Sequence, residues 1–580
     1  MRRLKIDQDE YDDYYDEAYD DYYDEEDYYD ADTSYSKPKP SKPKKKPSKA
    51  VQEPSVVSKE DAFQLSLKVL KVADVVGDMD KAAIKEILLK YDGNIELATN
   101  NILESMDISA MKMDVVVNKP PTFLTTGPPI RKSPAPPPGI KDFVLTENID
   151  ETYWDHLKPS INLVVVGHVD AGKSTLMGHL LYNLNYVSQK TMHKYEKESR
   201  EMGKASFAYA WIMDEEEEER ERGVTVDVGI KYFETEHRRI CLLDAPGHRD
   251  FIPNMITGAT QGDVAILVVP GNEGEFESSF QENGQTKEHA VLVRYCGIRK
   301  LVIAVNKMDS CDWSQQRFVY VKDILSSFLT QHGYVSEDLL FIPLSGMSGE
   351  NLCTKSQLTD WYQGPTLVDA IDSLPPTNRP VNKPLRMVVA DVYKSMVLGP
   401  ITVSGKLESG YLKEKQQVLL APLGIKCRVK GIQRHVGNEV SCVTIARAGE
   451  TVDVGLTGVE DNMVNTSTII CDVKYSIPVI QHFTAEIVTL DGLQVPLLNG
   501  TKVTLHIQSV QVPATISRLL SVDDGGKTKK QPRFVRKNQT ATVEVQTEFP
   551  ICIEKFQDFR PLSRILLRQN GITVAAGRRI

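Results

Sequence analysis

Gly167-His168-Val169-Asp170-Ala171-Gly172-Lys173-Ser174, entered from the apolar run Val164-Val165-Val166, is the stretch that decides the fold. The run reads as a buried strand, and the octapeptide fits G-x-x-x-x-G-K-[ST]. Its glycines let backbone N–H groups curl around phosphate oxygens, and Lys173 sets a cation beside them. Ser174 offers a hydroxyl to Mg²⁺, and Thr175 opens a helix whose positive end faces the phosphates. By itself the motif also matches a Gly-rich turn that binds nothing.

What lies downstream decides between the two. Ile240-Cys241-Leu242-Leu243 reads as a second buried strand, ending in Asp244-Ala245-Pro246-Gly247-His248. A carboxylate at the C-terminal end of such a strand is placed to hold Mg²⁺ water, and Gly247 frees its N–H to approach a γ-phosphate. Leu301–Val305 forms a third strand and delivers Asn306-Lys307-Met308-Asp309. The Asp309 carboxylate can accept from the N1–H and exocyclic amine of guanine. Adenine lacks that donor pair and would leave the carboxylate unpaired. Asn306 can brace the phosphate loop, the Lys307 stem can cover the base, and Ser345-Gly346-Met347 can offer a backbone N–H to the guanine O6. Between the phosphate loop and Asp244, Arg222-Gly223-Val224-Thr225 ends a long polar stretch. There Thr225 can swing onto Mg²⁺ and the γ-phosphate as a switch that GTP orders. The acidic run Glu215–Glu219 before it is expected to be a solvated helix face. The cofactors implied are GTP or GDP with Mg²⁺, held by Ser174, Thr225 and Asp244.

The chain has 580 residues and a net charge of −11, and residues 1–32 alone hold fifteen Asp/Glu against three Lys/Arg. The remainder is therefore close to neutral, which leaves RNA-rich and protein partners equally open. Eight cysteines stand without a C-x-x-C pair or zinc spacing, as expected of a reduced intracellular protein. No apolar run approaches the ~20 residues of a membrane helix, and no signal peptide is visible. The expectation is a cytoplasmic monomer with no membrane partner.

In chain order, residues 1–57 read as an acidic, tyrosine-rich tail and a Lys-Pro linker without the aliphatic content to fold. Residues 58–108 show helical spacing at Phe63, Leu67, Leu70, at Ile84, Ile87, Leu88 and at Ile95, Ala98, Ile102. This small module loosely resembles ubiquitin-associated (UBA or CUE) domains, and a docking module for some other partner fits it equally. Residues 109–154 are a second, Pro-rich linker. Residues 155–378 form the α/β P-loop GTPase domain. Beyond it the period changes to two, at Val503, Leu505, Ile507 and at Ala541, Val543, Val545. Two antiparallel β-barrels are expected, over 379–473 and 474–580. The basic stretch Lys527, Lys529, Lys530, Arg533, Arg536, Lys537 reads either as a contact for RNA or an acidic partner, or as a solvated loop.

GHVDAGKST, RGVT, DAPGHRDFIPNMI, GQTKEHA and NKMD together resemble the translational GTPases related to elongation factor Tu, over 155–580. Within that group the N-terminal extension and Arg222-Gly223-Val224-Thr225-Val226-Asp227-Val228-Gly229 resemble the ribosome-rescue GTPases of the Hbs family. The resemblance implies a ribosome-stimulated GTP phosphohydrolase that brings Pelota, a release-factor paralogue, to the A site of stalled ribosomes. It would work against the small subunit and the factor-binding site of the large one, in no-go and non-stop mRNA surveillance and subunit dissociation. It also implies that His248 orients the attacking water and that Val169 and Val224 gate it, with Thr225, Lys173 and Asp170 beside it in the catalytic set. His248 as a mere helix cap is the alternative. The N-terminal module would recruit ubiquitin or another ribosomal or exosome-linked partner. Two alternatives stand: a termination GTPase of the class II release-factor type, and a recruiting adaptor whose nucleotide site is mainly structural.

Overall fold

The computed structural model describes residues 81–90, 143, 149, 154 and 156–580, apart from 215, 282, 283, 376, 378, 525 and 526. Of the N-terminal module, helix α1 (Lys81–Lys90) is described, with Ile84 and Leu88 buried. The tail, the first linker, the second linker apart from 143, 149 and 154, and the other two expected helices lie outside the described residues. No helix among the described residues is long and apolar enough to cross a membrane.

Strand β1 (Ser160–Gly167) is buried along nearly all its length because its side chains feed cores on both faces. Val164 and Val166 pack on one side, and Leu163 and Val165 on the other. A strand covered twice reads as a continuous apolar run, which is why the motif announced itself. It joins β2 (Gly229–Glu234), β3 (Arg239–Asp244), β4 (Val264–Pro270), β5 (Leu301–Asn306) and β6 (Leu339–Pro343) in the order β2-β3-β1-β4-β5-β6. All neighbours are parallel except β2, which runs against β3. The order reverses on either side of β1, so the crevice at its C-terminal end is where such a sheet takes a ligand. Helix α2 (Lys173–Asn183) covers one face, with α5 (Ile252–Gln261), α7 (Gln285–Cys296) and α8 (Gln315–Gln331) on the other. Between α2 and β2 come α3 (Gln189–Glu201) and the short α4 (Glu217–Arg222), and α6 (Glu275–Phe280) follows β4.

Two closed antiparallel sheets follow. In the first, the strand Gln417–Ala421 pairs with both Ile425–Val436 and Ile469–Cys471, which closes the ring. In the second, Thr501–Ile507 closes the ring between Val510–Asp524 and Arg564–Gln569. Closure leaves few open edges, and the alternating Val503, Leu505, Ile507 and Ala541, Val543, Val545 all point into the second core. One expectation needs correction. Lys527–Lys530 is an exposed edge strand paired to the end of Val510–Asp524, not a loop. Lysines along a free edge keep another strand from adding to it.

Buried ion pairs join the three bodies. Asp263, between α5 and β4, takes Arg379 at 2.8 Å and Lys406 of the first barrel at 3.0 Å. Glu450 bridges Arg239 of β3 and Arg434 at 3.2 and 3.0 Å, and Arg386 meets Glu554 between the barrels at 2.9 Å. The second barrel also reaches the GTPase body, Thr573 donating to Glu288 of α7 at 3.2 Å. Burial would raise the Asp263 carboxyl pKa, but Lys406 and Arg379 overcome it and hold the group far below the usual range. Stability from such a depressed pKa is complete above the unfolded value, about 3.9, and is lost as pH falls below it. Asp263→Ala is expected to cost about 3–5 kcal/mol, because two buried cations lose their counter-charge. Calorimetry of the parent and of Asp263→Asn should show a stability gap that is constant above about pH 5 and shrinks below about pH 4.

Candidate nucleotide-binding site

A cleft of about 420 Å³ opens where β1 turns into α2, floored by the phosphate loop. Asp170 and Gly172 both adopt left-handed backbone there, with φ of 58° and 87°. A Cβ at Gly172 would stand 2.5 Å from the Asn306 side-chain nitrogen, so only glycine fits. Gly247 is fixed by crowding too, since a Cβ there would overlap the Lys173 ammonium. Lys173 is buried, and its Nζ donates to the carbonyls of Gly167 at 3.1 Å and His168 at 2.9 Å. Burial lowers its pKa, against the pull of Asp244, Asp170 and Asp214.

Opposite the lysine lie two hydroxyls and two acids. Ser174 Oγ and Thr225 Oγ1 are 3.1 Å apart, and Thr225 donates to Asp214 Oδ1 at 3.3 Å. Asp244 is fully buried, and neither of its oxygens has a hydrogen-bond partner. Burial pushes its carboxyl up to about 6, and burial with the charge of Asp244 pushes Asp214 up to about 7. Buried carboxylate oxygens without a hydrogen-bond partner, beside two hydroxyls, are the donor set a hard divalent cation such as Mg²⁺ takes. The residues present fit the ion the sequence implies.

The base end is built from β5 and the loop after β6. Asn306 donates to Ala171 O and accepts from Gly346 N, both at 2.8 Å, so one amide ties the phosphate loop to the Ser345–Met347 turn. Lys307 has a left-handed backbone (φ 61°) and its ammonium pairs with Glu275 of α6 at 2.7 Å. Despite partial burial, that bond holds Glu275 below the usual carboxylate range. Asp309 is exposed on the cleft wall, and no hydrogen bond of the site engages it.

Val169, Thr175, Val224, His248, Ser345 and Met347 line the cleft, whereas Gly167, His168, Ala171, Asp244 and Gly346 stand behind its wall. His248 caps the turn after β3, its Nδ1 accepting from the Asp250 N–H at 3.2 Å. The hydrogen bond bears out the capping reading of this histidine, and the residue also lies on the cleft wall. The acidic run is corrected at Glu219, which is buried and binds two backbone N–H groups of the switch. Three further residues had no assigned role in the sequence: Asp214, Asn254 and His289. His289 is fully buried and accepts from the Gly167 N–H at 3.2 Å. Burial lowers its pKa to about 3, so it stays neutral with its proton on Nε2. Its place in Gly284-Gln285-Thr286-Lys287-Glu288-His289-Ala290 was the only signal of it in the sequence.

A phosphate loop, a threonine hydroxyl beside Ser174 and an Asn-Lys-x-Asp along the cleft, carried ahead of two closed barrels, are the parts of a P-loop GTPase. Residues 158–377 match the elongation factor Tu GTP binding domain, and residues 482–578 match the GTP-eEF1A C-terminal domain-like family. Protein HBS1 of Drosophila melanogaster is 45% identical over 426 residues, covering 72% of this chain and 63% of that protein. Elongation factor 1-alpha of Desulfurococcus mucosus is 39% identical over 425 residues, covering 72% of this chain and 96% of its own length. The S. cerevisiae Ski7 GTPase-like domain, solved with GTP bound, shares the fold with a TM-score of 0.64 at 21% identity, covering 75% of this chain and all of that one. The chain belongs to the elongation factor Tu superfamily of translational GTPases, a class that binds and hydrolyses GTP, and it spans less than two thirds of the length of Protein HBS1.

Asn306→Ala would leave Ala171 O and Gly346 N buried without partners, each costing about 1–3 kcal/mol. GDP affinity, measured by fluorescence of a labelled nucleotide, is expected to fall at least about tenfold, with the fold intact by circular dichroism.

Proposed function

We propose that this chain is a ribosome-rescue GTPase that carries a Pelota-type partner into the vacant A site of stalled ribosomes, in the cytoplasm. On hydrolysis it leaves, clearing the way for subunit splitting in no-go and non-stop surveillance. The likeness to Protein HBS1, together with a complete set of phosphate, switch and base residues, is the observation that carries this reading. In it, Lys173 and the loop N–H groups hold the β- and γ-phosphates, and Asp309 with the Ser345–Met347 turn reads guanine. Ser174, Thr225 and Asp244 would hold Mg²⁺, which would supply charge neutralisation to the phosphates.

Phosphoryl transfer to water asks the protein chiefly for position and charge. With Nδ1 committed to the Asp250 N–H, the ring atom His248 has left for a water is Nε2, which carries the proton in the neutral tautomer. Such an imidazole orients a water and does not remove its proton. Val169 and Val224 stand on the cleft wall as its apolar gate. Unstimulated turnover is expected on the order of 10⁻⁴ s⁻¹, as in unassisted sites of this kind.

The test is GTP hydrolysis with empty ribosomes plus Pelota, against release factor one. Stimulation that needs Pelota supports the reading, and stimulation by the release factor would move the protein to termination. No stimulation by either, with tight GTP binding, would leave a recruiting adaptor. His248→Ala is expected to lower the stimulated rate by about 10²–10⁴ while leaving GDP and GTP affinity unchanged.

A further inference from the structure

The stretch that leads from β4 into α6 is fastened twice to the loop after β5, although none of its side chains lines the cleft. Gly271 donates its N–H to Asn306 O at 2.6 Å. A Cβ there would stand 2.8 Å from the Met308 sulfur and 3.1 Å from that same carbonyl, so the two backbones meet with no room for a side chain. Four residues on, Glu275 Oε2 accepts from Lys307 Nζ at 2.7 Å.

What holds that carboxylate in place is Arg317, in the first turn of α8. Its Nε donates to Gly271 O at 2.6 Å and its Nη2 to Asn272 O at 3.0 Å. Its two terminal nitrogens also fork onto Glu277, Nη1 to Oε1 at 2.8 Å and Nη2 to Oε2 at 3.2 Å. Glu277 Oε2 accepts in turn from the Gly274 N–H at 2.8 Å, which fixes the start of α6. Phe276, between the two glutamates, is buried and stacks on Phe280 with ring centroids 5.5 Å apart. The short helix cannot roll without opening that core.

We propose that Arg317 and Glu275 are positioning residues for the base end of the cleft: Arg317 sets the start of α6, and Glu275 from there holds the Lys307 ammonium so that the lysine stem lies along the base. Two arguments carry this. A lysine has a long flexible stem, and a counter-charge at its tip confines the stem to one course, which a flat apolar cover requires. A guanidinium can serve a carboxylate with two parallel bonds and still reach two carbonyls, a task its planar fork suits and an ammonium does not. The Glu275 and Lys307 side chains are 47% and 30% exposed, so their pair adds little to folding. Its contribution belongs to nucleotide binding, and because GDP and GTP share the base it is equal for both.

The inference rests on the reading of Asn306-Lys307-Met308-Asp309 as the base contact, and the ribosomal reading does not enter. The full chain carrying Glu275→Gln, Lys307→Met, both together, Arg317→Ala or Asp309→Asn is loaded with ribose-labelled fluorescent GDP or a non-hydrolysable GTP analogue. Release is then timed after addition of unlabelled GDP. Glu275→Gln should speed release of both nucleotides about fivefold, as expected for a partly exposed charge pair, and shift the melting temperature by no more than about 2 °C. Arg317→Ala should speed release of both at least about tenfold, because two carbonyls and a carboxylate lose their donor. In the Lys307→Met background Glu275→Gln should add less than about twofold, since the ammonium it acts on is gone. Asp309→Asn tests the underlying reading and should weaken both nucleotides whatever stands at 275. The proposal is overturned if Asp309→Asn speeds release while Glu275→Gln keeps the parent's rate, if Glu275→Gln acts as strongly without the Lys307 ammonium, or if only one nucleotide is affected. Unchanged release from Asp309→Asn would sink the base-contact reading and this inference with it.

Discussion

An ammonium group taken out of water has to be surrounded by oxygen. Lys173 is buried at the start of α2, and its proton donors are met by the carbonyls of Gly167 and His168. Much of the site follows from housing that charge. Gly247 has no side chain because the lysine occupies the space, and Gly167 is steadied from below by His289, which burial keeps neutral so that no second cation competes. The charges of Asp244 and Asp214 act on the lysine from nearby, with their own carboxyls raised by burial. The loop thus closes upon itself around that one charge, through its own carbonyl oxygens.

How much of this was legible beforehand depended on whether a residue's role is local. The phosphate loop, the three buried strands of the nucleotide body and the alternation at Val503–Ile507 announced themselves, because backbone geometry and two-sided burial write directly into short spans of sequence. Glu219 did not. In a run of five acids its composition says solvent, and only the fold that returns Val226 and Asp227 to it makes it an interior acceptor. Lys527–Lys530 hid for a related reason: lysine is a poor strand former on average, and its use on a protected edge depends on a neighbour that sequence does not show. His248 stands just beyond the end of β3, where it caps the following turn through Nδ1 and also lies on the cleft wall.

The coupling of the switch to the rest of the molecule runs through the same logic of satisfied interior groups. Tyr232 of β2 stacks on His435 of the first barrel with ring centroids 4.4 Å apart, and His435 in turn bonds Asp453 at 2.6 Å. The strand that continues the switch is therefore flush against the barrel, and α7 beneath the phosphate loop is flush against the second one through Glu288.

The Asp263 seam has a consequence for how such proteins can change. Two acids, Asp263 and Glu408, and two bases, Lys406 and Arg379, share one buried space between the nucleotide body and the first barrel. Removing any one member strands a charge, whereas exchanging the whole set keeps the balance. The quartet is consequently one electrostatic unit. A chimera that moves a barrel between two such chains should succeed when this quartet travels intact and fail when the cut divides it.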